Sequence, residues 1–331
     1  MHQFGGSVYT YGMEHITFIG TGVMGSSMAG HLLSAGYPVT VFTRTKSRAE
    51  NLLAQGARWA DTIQEAVKDA DFVITMVGYP QDVEELYLGP DGIIASAKPE
   101  AILIDMTTSS PSLAVRIAEA ARKRGLEALD APVSGGDVGA RNATLSIMVG
   151  GSETTFNRTK ALFEKLGKTI VLQGGPGSGH HTKMCNQIAI ASNMMGVVEA
   201  LTYGLAAGLE PRTMLSSIES GAAGSWSLSN LVPRMLNGNV KPGFYIKHFI
   251  KDMGIALESA REMGLTLPGL SQAEALYKKL AALDTKTLQG IAQEIAAQQK
   301  GLSAPQIPEE AQTGSDLGTQ ALYLLYLARL I

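Results

Sequence analysis

The chain has 331 residues, a formal net charge of −3 and 45% hydrophobic residues, which is enough for two domains with separate cores. Its charge gives no electrostatic case for nucleic acid, and one cysteine, Cys185, excludes an internal disulfide and suits a reducing compartment. Residues 1–12 lack the basic-then-apolar order of a signal peptide, so they read as a loose leader with Met13 as an available start and the cytoplasm as the expected location.

The first expected element is the strand Ile16-Thr17-Phe18-Ile19, which runs into Gly20-Thr21-Gly22-Val23-Met24-Gly25 and a helical segment over 26–34. Gly20 allows a tight turn, Gly22 lets the backbone approach a pyrophosphate, and Gly25 lets helix and strand pack closely. The helix start adds free N–H groups and a partial positive charge. Gly20, Thr21, Gly22, Val23, Met24 and Gly25 are therefore expected to hold a dinucleotide. Three glycines at this spacing also occur in merely structural turns; the strand before and the helix after favour the cofactor.

Strands and helices then alternate. Residues 38–42, 72–77, 101–104, 126–129 and 145–149 read as strands, and Ser110-Pro111 opens a helix with a cap and a first-turn proline. Alternation with continuous apolar strands predicts a doubly wound parallel sheet covered on both faces, with ligands beyond the strands' carboxyl ends. After the second strand, an NAD site usually places an acid on the ribose. No Asp or Glu occurs between Gly20 and Arg48. Thr43, Arg44 and Thr45, followed by Lys46 and Arg48, suit a 2′-phosphate instead, so NADP is favoured over NAD. A solvated basic helix start is the competing reading. Met76 and Val77 end the 72–77 strand and can line the cofactor path, as can Thr108, which equally fits a helix start. Ser134-Gly135-Gly136 follows another strand and can clasp a carboxylate with a hydroxyl and backbone N–H groups, or be no more than a flexible turn.

A glycine-rich joint at 174–179 precedes a segment free of proline until Pro211. As a helix over 180–209 it would be about 45 Å long at ~1.5 Å per residue, and being apolar nearly all round it should be buried. Asn193 and Glu199 interrupt its apolar run and argue against a membrane span. Lys183, Asn186, Gln187 and Asn193 lie near one stripe. Burying a lysine costs several kcal/mol, so the stripe is a candidate site, against the alternative of a lysine at an exposed first turn. Adjacent His180 and His181 cannot share a metal, and no HxxxH, HExxH or CxxC spacing occurs, so no metal is expected. Cys185 reads as a small core residue without a paired base. Further helices are expected over 212–220, 227–236, 249–263 and 270–283, giving a domain of residues 1–176 for the cofactor and a helical domain of 177–331 for substrate and oligomerisation.

The glycine loop, the run 130–136, residues 177–183 with Asn186, and Phe249-Ile250-Lys251-Asp252 together resemble the four signatures of the β-hydroxyacid dehydrogenases, the family of 3-hydroxyisobutyrate dehydrogenase and tartronate semialdehyde reductase. The match runs from about residue 16 to 280, with a last piece at Gly318-Thr319-Gln320-Ala321-Leu322. The resemblance implies an NAD(P)-dependent oxidoreductase of small β-hydroxy acids. It further implies that Ser134, Gly135 and Gly136 hold the substrate carboxylate, that Lys183 is catalytic, that Asn186 and Gln187 bind substrate, and that Thr108 and Lys251 lie near the nicotinamide. It places the active site in the groove between the two lobes and implies a homodimer or homotetramer. Alternatives are a tartronate or succinic semialdehyde reductase, or a silent NADP-binding module, which should have lost Lys183 or the clasp. Three features depart from the family. Gln187 stands where a second asparagine is common, one methylene longer, so the pocket is expected to shift; residues 285–315 look like an added excursion or lid; and the leader has no counterpart. Asp252 reads as structural.

Overall fold

The computed structural model describes residues 14–299 and 301–331; the expected leader lies outside them. Nine strands form one sheet: β1 (Ile16–Ile19), β2 (Val39–Phe42), β3 (Arg58–Trp59), β4 (Phe72–Thr75), β5 (Ile102–Asp105), β6 (Glu127–Asp130), β7 (Val133–Ser134), β8 (Leu145–Gly150) and β9 (Gly167–Gly174). Their order is β3-β2-β1-β4-β5-β6-β8-β7, with β9 beside β8. From β3 to β6 every pairing is parallel. The expected doubly wound parallel sheet is found there, and at its far end β8 runs antiparallel to β6 and to β7. The link from β6 to β8 is spent on β7 and one six-residue helix, Gly136–Arg141, short of the full helical crossover that usually returns a chain to a parallel neighbour.

Alternation explains why these strands bury both faces. Ile16, Phe18, Val41, Phe72, Ile74 and Ile104 pack on one side with Met28, Leu32 and Phe163. Ile19, Val73 and Leu103 pack on the other with Val83, Tyr87 and Ile117. Register then sets the functional edge: Ile19 pairs with Phe42 and with Thr75, which brings Gly20, Thr43 and Met76 to neighbouring positions just past the strands. This is where the strand order reverses, the usual crevice for a ligand in such sheets.

The chain divides into two compact units, the second being Thr108–Pro111, Gly136–Val138 and His180–Ile331. The boundary falls three residues after the expected 176/177, and two short turns from the first half of the sequence join the helical unit. The long helix runs Ser178–Ala206, ending before the expected 209. Gly208 takes φ +76° and Leu209 N–H bonds back to the Gly204 carbonyl, a left-handed cap that closes the helix. Pro211 starts the next helix, and the Glu210 carboxylate accepts from the N–H groups of Arg212 and Thr213.

The long helix is apolar enough to cross a membrane by length and composition. Met184, Ala191, Met194, Val198 and Leu201 are nevertheless built into the helical core with Met235, Phe249, Met253, Tyr277 and Tyr323. Its burial is one-sided rather than complete. His181, Cys185, Ala189, Ser192 and Tyr203 face outward, so Cys185 is exposed and not a core residue. The 285–315 stretch is likewise no excursion. Its helix Thr285–Gln298 buries Leu288, Ile291 and Ile295 in the same core, and the Thr285 hydroxyl donates to the Ala311 carbonyl at 2.6 Å.

Candidate active site

The glycine loop carries three separate constraints. Gly20 has φ +96°, and a Cβ there would collide with the Met76 carbonyl. Gly25 lies so close to β1 that a Cβ would strike the Gly20 carbonyl and stand 3.0 Å from Phe18 Cε1. Around Gly22 there is nothing within 4 Å, and it is the N-cap of the helix Val23–Ser34, whose first N–H groups no side chain caps. A tight turn, close helix–strand packing and an open backbone face at a helix start are what a dinucleotide pyrophosphate requires, so the loop fits that cofactor. Thr21 and Gly25 are buried, Met24 is half-buried and Val23 is exposed at the first turn. Gly25→Ala should therefore destabilise the fold by about 3 kcal/mol through overpacking. Gly22→Ala should cost about 1 kcal/mol or less yet weaken NADPH binding strongly. Thermal melts and cofactor titrations of the two variants separate the roles.

Beside the loop, Met76 N–H bonds to the Ile19 carbonyl at 2.9 Å and Val77 N–H to the Thr107 hydroxyl at 3.0 Å. Both amides are satisfied, which leaves these two residues to line a cofactor path with carbon. Past β2, Thr43 is half-buried while Arg44 and Thr45 are exposed. Arg44 Nη1 lies 3.3 Å from Asp82 Oδ1 with its side chain 83% exposed, a pair weak enough to release the guanidinium to a stronger anion. Lys46 is held over the Trp59 ring, 5.2 Å from its centroid.

Ser134 ends β7 opposite Ser146, and Gly135 and Gly136 follow with φ +130° and +60°. Two successive left-handed residues are open only to glycine, which turns the backbone sharply just after a strand.

In the helical unit Lys183 and Gln187 of the polar stripe are buried, while Asn186 and Asn193 are half-buried. Lys183 is 7% exposed, and burial, reinforced by the Lys251 charge and opposed by Asp252, lowers its pKa to about 8. Asn186 donates to Gln187 Oε1 at 2.8 Å, and Gln187 Nε2 donates to Asp252 Oδ2 at 2.6 Å. The extra methylene of Gln187 thus brings its amide onto Asp252. Lys251 Nζ sits 3.0 Å from Asp252 Oδ1 but off the line of a hydrogen bond, so that oxygen is charge-paired without an aligned donor. The same ammonium donates to the Thr108 carbonyl at 2.6 Å. Lys183, Asn186, Gln187, Lys251 and Thr108 are thus linked, directly or through one another, to one carboxylate that the sequence reads only as structural. Asp252 was legible in part: Phe249, Asp252, Met253 and Ala256 are the buried face of the helix Ile246–Glu262, and a charge on that stripe needs partners. Among the described residues no group of three His, Cys, Asp or Glu side chains could hold a metal.

A buried amine poised near neutral pH beside a fixed carboxylate can donate a proton to, or take one from, a substrate oxygen. Comparison with known proteins agrees with that chemistry. Residues 15–175 match the family described as the NAD binding domain of 6-phosphogluconate dehydrogenase, and residues 177–294 that described as NAD-binding of NADP-dependent 3-hydroxyisobutyrate dehydrogenase. The uncharacterised oxidoreductase YkwC of Bacillus subtilis is 63% identical over 81% of this chain and 93% of its own length. The 2-hydroxy-3-oxopropionate reductase of Escherichia coli is 39% identical over 80% of this chain and 90% of its own. The Mycobacterium tuberculosis 3-hydroxyisobutyrate dehydrogenase, solved with L-serine, superposes with a TM-score of 0.77 at 29% identity, covering 94% of this chain and 98% of that one. From the glycine loop through the buried lysine to these relatives, the chain belongs to the β-hydroxyacid dehydrogenases and is an NAD(P)-dependent oxidoreductase of the 3-hydroxyisobutyrate dehydrogenase type.

Proposed function

We propose that the enzyme interconverts a small β-hydroxy acid of the 3-hydroxyisobutyrate kind and its semialdehyde, with Lys183 as the proton donor and acceptor and NADP(H) preferred over NAD(H). The observation that carries the reading is the buried Lys183 ammonium, with a pKa of about 8, tied through Asp252 to Gln187 and Lys251. With its pyrophosphate held on the glycine loop, the cofactor would supply hydride exchange with the substrate carbon. Lys183 hydrogen-bonds the substrate oxygen, stabilises developing alkoxide and gives up its proton in the reducing direction. Ser134, Gly135 and Gly136 take the carboxylate, which fixes the reacting carbon. Asn186 and Gln187 orient substrate and lysine, while Thr108 and Lys251 serve the nicotinamide end.

For the phosphate, Thr43, Arg44 and Thr45 replace the usual acid, and Arg44 is held only by an exposed pair with Asp82. Arg44→Ala should lower kcat/KM for NADPH on the order of tenfold, the worth of one charge-assisted phosphate contact, with little change for NADH. Equal losses with both cofactors would argue for NAD. The substrate class is tested with a panel of small hydroxy acids and semialdehydes, assayed with NADPH and NADH in parallel. Because the Escherichia coli relative is a 2-hydroxy-3-oxopropionate reductase, tartronate semialdehyde belongs in that panel beside 3-hydroxyisobutyrate and succinic semialdehyde. Activity confined to acids without a hydroxyl or oxo group at the third carbon would overturn the assignment. We further propose a cytoplasmic homodimer or homotetramer that binds neither nucleic acid nor membrane. The lone cysteine, the net charge of −3 and the outward Tyr203, 76% exposed, support that reading.

A further inference from the structure

The turn assigned to the substrate carboxylate has a second source of support. Residues Gly136–Val138 group with the helical unit, where they meet the loop that follows the helix Trp226–Leu236. The Gly243 carbonyl oxygen lies 4.0 Å from where a Gly136 Cβ would stand. A Cβ on Gly243 would in turn stand 3.2 Å from Asp137 Oδ1 and 3.3 Å from Arg234 Nη1. Loop, turn and guanidinium therefore meet at van der Waals contact, and at Gly243 a side chain would crowd Asp137 and Arg234.

That loop is tied down twice at one atom. Arg234 Nη2 donates to the Lys241 carbonyl and reaches Asn239 Oδ1 at 3.5 Å. The Gln320 amide, itself buried, donates to the Asn239 carbonyl at 3.0 Å and the Lys241 carbonyl at 2.9 Å. Gln320 belongs to the Gly318-Thr319-Gln320-Ala321-Leu322 motif, to which the proposed chemistry gives no other part. Burial disfavours the charged form of Arg234 and Asp137 opposes that shift. A half-buried guanidinium is a costly way to hold a loop. Its planar fork is suited to fixing carbonyl and carboxylate partners in one geometry.

We propose that Arg234, backed by Gln320, is a positioning residue for the substrate carboxylate: it fixes the loop ending at Gly243 against Gly136 and Asp137, and so sets the aim of the turn's backbone N–H groups. This rests on the assignment of Ser134, Gly135 and Gly136 to the carboxylate. The test measures KM and kcat with NADPH for the preferred semialdehyde acid and for its methyl ester, in wild type, Arg234→Met and Arg234→Lys. Arg234→Met should raise KM for the acid about tenfold without a matching rise for the ester, so the acid-to-ester KM ratio shifts while the KM for NADPH stays put. Arg234→Lys keeps one donor for the Lys241 carbonyl and should recover part of the shift. Gln320→Met removes the second tie and should give the same split, which keeps the test open if Arg234→Met does not fold. Acid and ester KM rising together, or kcat falling in their place, would make Arg234 plain structural support and overturn the proposal. A wild-type enzyme that treats acid and ester alike would instead remove the carboxylate assignment itself, an outcome visible before any variant is made.

Discussion

Lys183→Ala is expected to fold, to bind NADPH and to lose turnover by on the order of 10³-fold, the range of a positioned general acid. Folding should tolerate the change because the residue removed is a desolvated cation whose burial already lowers its pKa to about 8. Asp252 is not orphaned by the loss, since Lys251 Nζ remains 3.0 Å from its Oδ1 and Gln187 still donates to its Oδ2. The wild-type pH dependence follows from the same amine. Reduction consumes the proton of the ammonium, so its rate should fall as pH rises through about 8; oxidation needs the neutral amine and should rise over that interval. Steady-state rates in both directions, a cofactor titration and a thermal melt check the set. Turnover of the alanine variant within tenfold of wild type would take Lys183 out of the chemistry.

What the sequence makes legible is what short-range geometry dictates. Each glycine of the loop has a reason within a few residues or at the adjoining strand: Gly20 a positive φ, Gly25 a carbonyl in its way, Gly22 an open face. Lys183, Asn186 and Gln187 share a helical stripe by spacing alone, and the strands through β6 follow from apolar continuity, apart from the two-residue β3, Arg58–Trp59, whose residues carry no such signal. The rest depends on partners distant in the chain. Nothing local to residues 133–150 tells that β8 turns antiparallel to β6. Cys185 has the composition of a core residue, but its angle on the helix puts it on the outer side. Residues 285–315 look added because their packing partners, among them Tyr323 and Leu325, come after them in the chain. The turn Gly136–Val138 reads as part of the first domain because it follows β7, yet its contacts group it with the helical unit. Asp252 was hidden by its neighbour: a Lys-Asp pair in sequence suggests a local salt bridge, and only the fold brings Gln187 to the other oxygen.

Asp252→Asn carries the second large effect. Asp252 is 2% exposed and is the one carboxylate in the network set against two ammonium groups, Lys183 and Lys251. Its charge raises the Lys183 pKa while burial and Lys251 lower it; neutralising it leaves both lowering influences unopposed. Lys183 should then titrate below about 8, so the alkaline fall in reduction rate moves to lower pH and turnover at neutral pH drops. Oxidation should begin at lower pH for the same reason. The amide oxygen can still accept from Gln187, which confines the structural damage to the unpaired Lys251 charge, worth about 3 kcal/mol when one partner of a buried pair is removed. The measurement is a pair of pH–rate profiles, wild type and variant, on protein shown by its melt to be folded at the assay temperature. A lower melting point with the profile unmoved would make Asp252 a structural residue only; a displaced limb makes it the group that sets the proton affinity of Lys183.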